Sequence, residues 1–171
     1  MTVPSDDVPE MEYTYVEANF LWTDSDDIDE TLTGGEFTGS LELPLNFFAQ
    51  LTLSRQSDDA DLDTFRLGAG YHLPLGSRFD AYGLLSLAHL EVDGTANDFD
   101  DDGLAAEIGV RLLLTPKLEV NGKVEWADVG DENYGVGIGA RYYLMDSISL
   151  GGRVEAVDGD ESIALGLRLE L

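Results

Sequence analysis

Apolar and polar residues alternate along most of the chain from Tyr13 onward, with the two-residue period of a strand that is buried on one face. The 3.6-residue period of an amphipathic helix is almost absent. The alternating segments predict ten strands, most of them about as long as the 9–11 residues that a tilted strand needs to cross a bilayer. These strands are expected at about 13–22, 36–44, 46–55, 64–73, 79–92, 104–114, 118–127, 134–144, 148–157 and 162–171. The pattern predicts one all-β domain over residues 13–171, preceded by a flexible acidic tail over residues 1–12.

The connections between the predicted strands fall into two classes that alternate along the chain. Four are short, and lie near Pro44 and at 74–77, 115–117 and 145–147. Five are long or acidic and hold 21 of the 35 acidic residues, with no Lys or Arg: 23–36, 56–63, 93–103, 128–133 and 158–162. An even number of strands then places the short turns and both termini at one end, as in a closed up-and-down antiparallel barrel. Ten strands fit this pattern best, and eight are the alternative.

Two hairpins repeat each other without gaps. IGVRLLLTPKLEVNGKVE at 108–125 aligns with IGARYYLMDSISLGGRVE at 138–155, and Arg111 and Arg141 take the same fourth position. LGLRL at 165–169 echoes the first part and contributes Arg168. Three matched charged positions favour duplication of one hairpin over convergence of two unrelated ones.

One face of the predicted strands is apolar, and the other carries charges among many glycines. In the strand at 79–92 the choice is less clear, and Tyr82, Leu84, Ala88, Leu90 and Val92 are assigned to the apolar face. The charges on the polar face nearly balance, with six of the nine basic residues beside seven glutamates, whereas the loops are purely acidic. A sealed lumen must pair its charges, because an unpaired buried ion is costly. The predicted lumen charge network is Glu17, Arg66, Glu107, Arg111, Glu119, Lys123, Glu125, Arg141, Arg153, Glu155, Arg168 and Glu170.

Aromatic residues lie near the strand ends, which is typical of the two interfacial girdles of a membrane barrel. The predicted girdle residues are Trp22, Phe37, Phe65, Trp126 and Tyr134 toward the acidic loops, and Tyr71, Phe79 and Tyr142 toward the short turns. Tyr13, Tyr15, Phe47, Phe48 and Tyr143 also lie toward the short turns. A membrane barrel with its apolar face outward is therefore favoured. A soluble lipocalin-like carrier, with its apolar face around a ligand, remains the more remote alternative.

Composition narrows the classes of partner. The formal net charge of −26 argues against nucleic acid, whose phosphates would be repelled, and is compatible with cations. The absence of cysteine excludes disulfides and cysteine-based metal sites. Residues 1–13, MTVPSDDVPEMEY, lack the basic and apolar regions of a signal peptide, so an exported protein would be present here in its mature form.

These features together resemble the small outer-membrane β-barrels of Gram-negative bacteria, the OmpA/OmpX-type and porin-like small barrels. The resemblance covers residues 13–171 and includes the amphipathic last strand ESIALGLRLEL, although Leu171 stands where the family usually has an aromatic residue. It implies an outer-membrane location, periplasmic termini, extracellular acidic loops and contact with lipid and lipopolysaccharide. We expect a structural or surface-interaction role with a charge-filled lumen; a narrow cation-preferring channel is the alternative. No protein partner can be named.

Neither metal nor catalytic motifs are complete. DFDDDG at 98–103 matches the start of a calcium loop, with Asp98, Asp100 and Asp102 as candidate ligands, but Gly109 stands where the twelfth-position Glu should be. Weak Ca²⁺ or Mg²⁺ binding by the acidic loops together, bridging to lipopolysaccharide, is the stronger expectation. His72 and His89 lack the Asp-His or His-Ser spacing of the enzymatic members of this class, so no enzyme and no other cofactor is predicted.

Overall fold

A computed structural model describes residues 11–25, 30–57, 61–93 and 99–171. Their architecture is a single antiparallel sheet of ten strands closed into a barrel, so the ten-stranded prediction is confirmed and the eight-stranded alternative is wrong. The strands are β1 (Tyr15–Ser25), β2 (Glu30–Leu43), β3 (Phe47–Ser57), β4 (Asp61–Pro74), β5 (Phe79–Asp93), β6 (Phe99–Thr115), β7 (Leu118–Val129), β8 (Asp131–Met145), β9 (Ile148–Val157) and β10 (Asp160–Glu170). Within these ranges no helix is long and apolar enough to cross a membrane.

Each strand pairs with its neighbours in the sequence, and β1 pairs with β10 to close the sheet. At the closing seam Glu17 stands opposite Arg168, and Asn19 stands opposite Gly166. The connections at 44–46, 75–78, 116–117 and 146–147 lie at the same end as the start of β1 and the end of β10. We call this the turn end and the opposite end the loop end.

At the loop end the strands run further than the sequence predicted. The predicted loops at 128–133 and 158–162 shrink to Gly130 and to the Asp158–Gly159 turn. Both residues of that turn have positive φ, 44° and 103°, which is the requirement of a tight two-residue hairpin. The sequence predicts loops at these polar strand ends because a strand that extends beyond the hydrocarbon layer of the membrane has no apolar face, and alternation is then absent. Residues 1–10, 26–29, 58–60 and 94–98 lie outside the described residues.

The apolar face points outward on nine strands as expected, but the assignment for β5 was reversed. Leu85 and Leu87 are exposed on the outside of the barrel, whereas Leu84 and Ala88 are buried inside it. The neighbouring strands decide the face, because Leu84 stands opposite the inward-facing Glu107. β5 carries apolar residues on both faces, and alternation alone cannot orient such a strand.

The repeated hairpins are equivalent in three dimensions. The first is β6–β7 and the second is β8–β9. The first has a register irregularity between Leu113 and Thr115, and the second has one between Tyr143 and Met145, at the corresponding positions. A shared bulge beside a shared two-residue turn supports the duplication inferred from the sequence.

Candidate functional site: the charged lumen

The inner face near the turn end holds a layer of buried ion pairs, which we call the lower layer: Glu17, Arg111, Glu119, Arg141 and Arg168. Arg111 donates two hydrogen bonds to Glu119, Nε to Oε1 and Nη2 to Oε2, each 2.9 Å long. Arg141 and Arg168 both donate to Oε2 of Glu17, at 2.9 and 2.7 Å. Tyr143 donates to Glu119 at 2.9 Å. Charge-assisted bonds of this length, shared between several donors, hold the strands of the lumen in fixed positions.

A second group, the upper layer, lies toward the loop end and is centred on Lys123. Its ammonium lies 3.1 Å from Glu107, 3.1 Å from Glu125 and 2.6 Å from Glu155. Arg153 donates two hydrogen bonds to Glu36, at 2.9 and 2.8 Å, and joins β9 to β2 across the lumen. The upper layer thus links the duplicated hairpins to the opposite wall. Its members are Glu36, Arg66, Glu107, Lys123, Glu125, Arg153 and Glu155.

Glycines on the inner face leave room for these charged side chains. A Cβ at Gly137 would lie 3.1 Å from Cγ of Glu155 and 3.2 Å from Cε of Lys123. A Cβ at Gly151 would lie 3.1 Å from Cζ of Arg141. Each of these glycines stands directly across a strand pair from the charge it accommodates. The glycine-rich inner face and the charge network are therefore parts of one packing arrangement.

Aromatic side chains close the lumen at the turn end. The ring of Tyr13 stacks on His72 with centroids 4.1 Å apart, and Phe48 lies 5.0 Å away. His72 is buried, with Nδ1 3.3 Å from Oδ2 of Asp80. At the loop end a small apolar cluster of Ala88, Ala105, Ala127 and Val129 fills the β5–β7 side of the lumen.

Between these groups lies a cavity of about 320 Å³. Six glutamates and six Lys or Arg residues line it, so its ionised lining is balanced. The wall formed by β1–β4 carries mostly uncharged hydrogen-bonding groups: Thr23, Thr38, Gln50, Thr52, Ser54, Gln56 and Thr64. Some of these bond to one another, as Thr23 does to Gln56 at 2.7 Å. The lumen has one hydroxyl- and amide-lined wall facing one ionic wall.

All twelve residues of the predicted network lie on the inner face, and the structure shows how they pair. Glu107, Glu125 and Glu155 surround Lys123, whereas Arg141 binds Glu17. Glu170 is partly buried near the turn end, and its Oε1 makes no hydrogen bond to a described residue. The pairing depends on the offset between strands around the barrel, which the sequence pattern does not contain.

Several residues of the lumen were missed. Glu36 falls at the boundary between the predicted loop at 23–36 and the predicted strand at 36–44, yet it lies well inside β2 and binds Arg153. Glu36 lies two residues before Thr38 and four before Ser40, and therefore on the same face of the strand. This spacing is the sequence signal that could have assigned Glu36 to the lumen. Other members of the network that were not predicted are Asn19, Tyr82, Tyr143 and Ser149.

Comparison with known proteins defines the class. A family model described as outer membrane protein beta-barrel domain matches residues 7–133. The chain belongs to this family. It is therefore an outer-membrane β-barrel, which rules out the soluble carrier as an interpretation, and its family places it in the bacterial outer membrane. A search of curated proteins finds no match to the chain.

Solved structures share the fold at low sequence identity. NanC porin is 8% identical with a TM-score of 0.60, over 91% of this chain and 100% of that one. KdgM porin is 9% identical with a TM-score of 0.58, over 92% and 99%. The translocator domain of the autotransporter NalP from Neisseria meningitidis is 15% identical with a TM-score of 0.52, over 98% and 92%. These similarities concern the barrel architecture alone.

The outer surface of this outer-membrane barrel carries aromatics near both ends of the strands. The eight predicted girdle residues all lie on its outward-facing positions, and Tyr134 is 58% exposed. Glu132 accepts hydrogen bonds from Trp126 Nε1 at 3.0 Å and from the Tyr134 hydroxyl at 2.8 Å, which fixes both rings near the loop end. Five turn-end aromatics point into the lumen instead of toward lipid: Tyr13, Tyr15, Phe48, Tyr82 and Tyr143.

The candidate metal residues do not form a calcium loop within the described residues. Asp98 lies outside them, and Asp100 and Asp102 belong to β6. Asp102 lies 2.8 Å from Nδ1 of His89 on the outer surface. Across the described ranges, no three His, Asp or Glu side chains are grouped closely enough to hold a metal ion.

The loop end nevertheless concentrates like charges in register. Asp63 stands opposite Glu91, and Glu91 stands opposite Asp100, all on the outer face. Two further pairs of acids face each other, Asp24 with Glu161 and Asp128 with Glu132. Like charges directly opposite in a sheet repel each other. We call these acids the outer acidic collar; the repulsion is reduced when cations are nearby.

Proposed function

We propose that this outer-membrane barrel is a non-conducting scaffold that acts through its outer surface and loop end. Its lumen serves to stabilise the barrel and does not carry solute. In this proposal the turn end, with both termini, faces the periplasm, and the loop end faces outward. The lower layer and the aromatic side chains of Tyr13, Phe48 and His72 are the parts that close the lumen.

The observation that carries the proposal is the packing of the lumen near the turn end. Phe48 and Glu119 are each 1% exposed, and Ser149 is fully buried. Arg141 reaches from β8 to Glu17 on β1, so the ion pairs extend across the lumen instead of following its wall. Opening a path for ions would require breaking buried pairs, and each broken pair costs several kcal/mol, about 3–5 when one partner is removed.

Charge balance also distinguishes this lumen from a selective pore. Pores that select ions with charged side chains arrange them in rings of one sign. Here six glutamates face six basic residues, and the bases are engaged in ion pairs. One solved KdgM structure is described as a complex with oligogalacturonate. The balanced lining of this lumen offers no surplus positive charge for such an acidic sugar. The shared fold is therefore no reason to assign that substrate to this protein.

We infer that the two histidine–aspartate pairs are structural. His72 and Asp80 are buried under the ring of Tyr13, which occupies the space where a substrate would have to approach. His89 and Asp102 lie on the outer surface at neighbouring positions of β5 and β6. Neither pair has the nucleophile and orienting group that covalent catalysis requires within hydrogen-bond reach among the described residues.

Planar-bilayer recording tests the closed lumen. The purified barrel is refolded, its folded state is verified by heat-modified gel mobility, and it is added to the bilayer with a porin as the positive control. We expect no discrete conductance steps. Regular cation-selective steps would overturn the proposal and support the narrow-channel alternative, in which the acidic loop end concentrates cations at the mouth.

For the surface role, we propose that the outer acidic collar binds lipopolysaccharide phosphates through divalent cations. The support is the register of Asp63, Glu91 and Asp100, whose mutual repulsion falls when Mg²⁺ or Ca²⁺ lies between them and a phosphate. Carboxylate and phosphate oxygens are ligands that both cations accept.

The test measures the thermal unfolding of the barrel in vesicles that contain lipopolysaccharide, with Mg²⁺ or with EDTA. Mg²⁺ should raise Tm of the wild type more than Tm of the triple variant Asp63→Asn, Glu91→Gln, Asp100→Asn. Asp146→Asn at the turn end is the control for a change of charge away from the collar. An equal Mg²⁺ response in the wild type and the triple variant would remove the collar from the proposal.

A further inference from the structure

The N-terminal segment, residues 11–14, lies across the turn end of the barrel. These residues precede β1 and have no strand partners of their own in the sheet. Tyr13 is nevertheless only 3% exposed. Its burial comes from the lumen and not from the strand ladder, so a part of the chain outside the barrel wall contributes to closing the barrel.

The partners of Tyr13 belong to four consecutive strands, β3 to β6. Its ring stacks on His72 of β4 at an interplanar angle of 15° and lies 5.0 Å from the ring of Phe48 of β3. The guanidinium of Arg111, on β6, lies over the same ring at 4.8 Å from its centroid. Tyr82 of β5 approaches it edge-on at 6.5 Å. One ring therefore connects the start of β1 with four consecutive strands of the barrel, β3 to β6.

Three hydrogen bonds hold the residues on either side of this ring, two through their backbone and one through the Thr14 side chain. Nη1 of Arg111 donates to the carbonyl oxygen of Glu12 at 2.9 Å. The backbone N–H of Glu42 donates to Oγ1 of Thr14 at 3.0 Å, and that of Leu171 donates to the carbonyl oxygen of Thr14 at 3.0 Å. These bonds fix the segment to β6, to the end of β2 and to the closing seam, so its position over the turn-end mouth of the lumen is defined.

We propose that residues 11–14 form a plug, with Tyr13 as its stopper, that closes the turn-end mouth of the lumen and can be removed without dismantling the barrel. Removal spares every strand pairing of the sheet, because the pairing of β1 with β10 and with β2 begins at Tyr15. The Tyr13 hydroxyl has no hydrogen-bond partner among the described residues, so the flat ring, and not the hydroxyl, makes the seal. This inference rests on the closed lumen proposed above and assigns its turn-end closure to the N-terminal segment.

Cysteine accessibility tests the plug, and the native chain has no cysteine to interfere. Ser40 is buried on the inner face of β2, opposite Tyr15 and near the turn end, so Ser40→Cys is a conservative reporter. The labelling rate with a water-soluble maleimide is measured in the Tyr13, Tyr13→Phe and Tyr13→Ala backgrounds. Heat-modified gel mobility verifies that each variant is folded.

We expect Tyr13→Ala to raise the labelling rate at least tenfold and Tyr13→Phe to leave it near the wild-type value. A folded Tyr13→Ala protein that labels at the wild-type rate would overturn the plug. If Tyr13→Ala does not fold, Tyr13→Leu retains apolar volume without the flat ring and should give an intermediate rate; a wild-type rate there overturns the proposal as well. Conductance of the wild-type protein decides the closed-lumen proposal separately, because that recording does not depend on which element makes the seal.

Discussion

Arg141 binds Glu17 across the lumen, with Nη2 2.9 Å from Oε2, although β9 and β10 lie between their strands. The duplicated hairpins explain this long-range pair. In the first hairpin Arg111 binds Glu119 within the same hairpin; in the second the position of Glu119 is occupied by Ser149. With only a hydroxyl available locally, Arg141 takes its carboxylate from β1. A substitution at one repeat position thus converts a local ion pair into one that ties the second hairpin to the first strand.

We predict that Arg141→Leu destabilises the barrel by about 1.5–3 kcal/mol, the usual contribution of a hydrogen bond to a charged group, because Glu17 loses one of its two cationic partners. Glu17 would keep its ion pair with Arg168 but lose the one with Arg141, whose side chain is only 6% exposed. The measurement is reversible urea unfolding in detergent or lipid, followed by tryptophan fluorescence.

The matched control is Arg55→Leu, because Arg55 also pairs with an acid, Asp61, but with 65% of its side chain exposed. Its loss should cost less than about 1 kcal/mol. A double-mutant cycle with Glu17→Gln then isolates the Arg141–Glu17 coupling. If Arg141→Leu unfolds at the same urea concentration as the wild type, Arg141 does not serve as a structural lumen charge.

The sequence predicted the strands because apolar and polar residues alternate clearly wherever one face of a strand contacts lipid and the other faces the lumen. The alternation therefore predicted ten strands and the position of Arg141 on the inner face. The gapless alignment of two hairpins predicted the duplication. The sequence did not predict the partner of Arg141, since contacts across the lumen depend on how far each strand is offset from the next. It also left Glu36 out of the lumen network, because Glu36 lies at the boundary of a predicted loop, where the lipid no longer enforces alternation.

A second prediction concerns the inner-face glycines. Gly137→Ala should destabilise the barrel by about 1–3 kcal/mol, the range for overpacking, because the added Cβ would press on Glu155 and Lys123. Gly122→Ala is the control: it lies on the outer face of β7, where a Cβ would meet nothing closer than 3.8 Å. Unfolding midpoints in urea provide the comparison. Equal effects of the two substitutions would show that glycine is needed for backbone curvature and not for the charged side chains.

The positions of the two tryptophans predict how deep their indole rings lie in the bilayer. Trp22 and Trp126 both lie on outward positions near the loop end, so both should sit at one lipid–water interface. In Trp22→Phe and Trp126→Phe variants, the remaining indole should be quenched more by lipids brominated near the headgroup than by lipids brominated near the chain end. Ile108→Trp in a background without other tryptophans serves as the comparison, because Ile108 is 66% exposed near the middle of β6. Stronger quenching of Trp22 or Trp126 by the deep bromines would contradict their place in the girdle.

The last prediction concerns the orientation of β5, where sequence and structure disagree. Leu85 is 58% exposed on the outer surface, whereas its neighbours Leu84 and Ser86 are buried on the inner face. Spin labels attached to single cysteines at these three positions report their surroundings in lipid vesicles. The label at Leu85→Cys should collide more with oxygen, which concentrates in lipid, than with a water-soluble nickel chelate. The labels at Leu84→Cys and Ser86→Cys should be less accessible to oxygen than the label at Leu85→Cys, because protein surrounds them. Greater oxygen accessibility at Leu84 than at Leu85 would restore the orientation indicated by the sequence, and with it would move Tyr82 out of hydrogen-bond reach of Glu107.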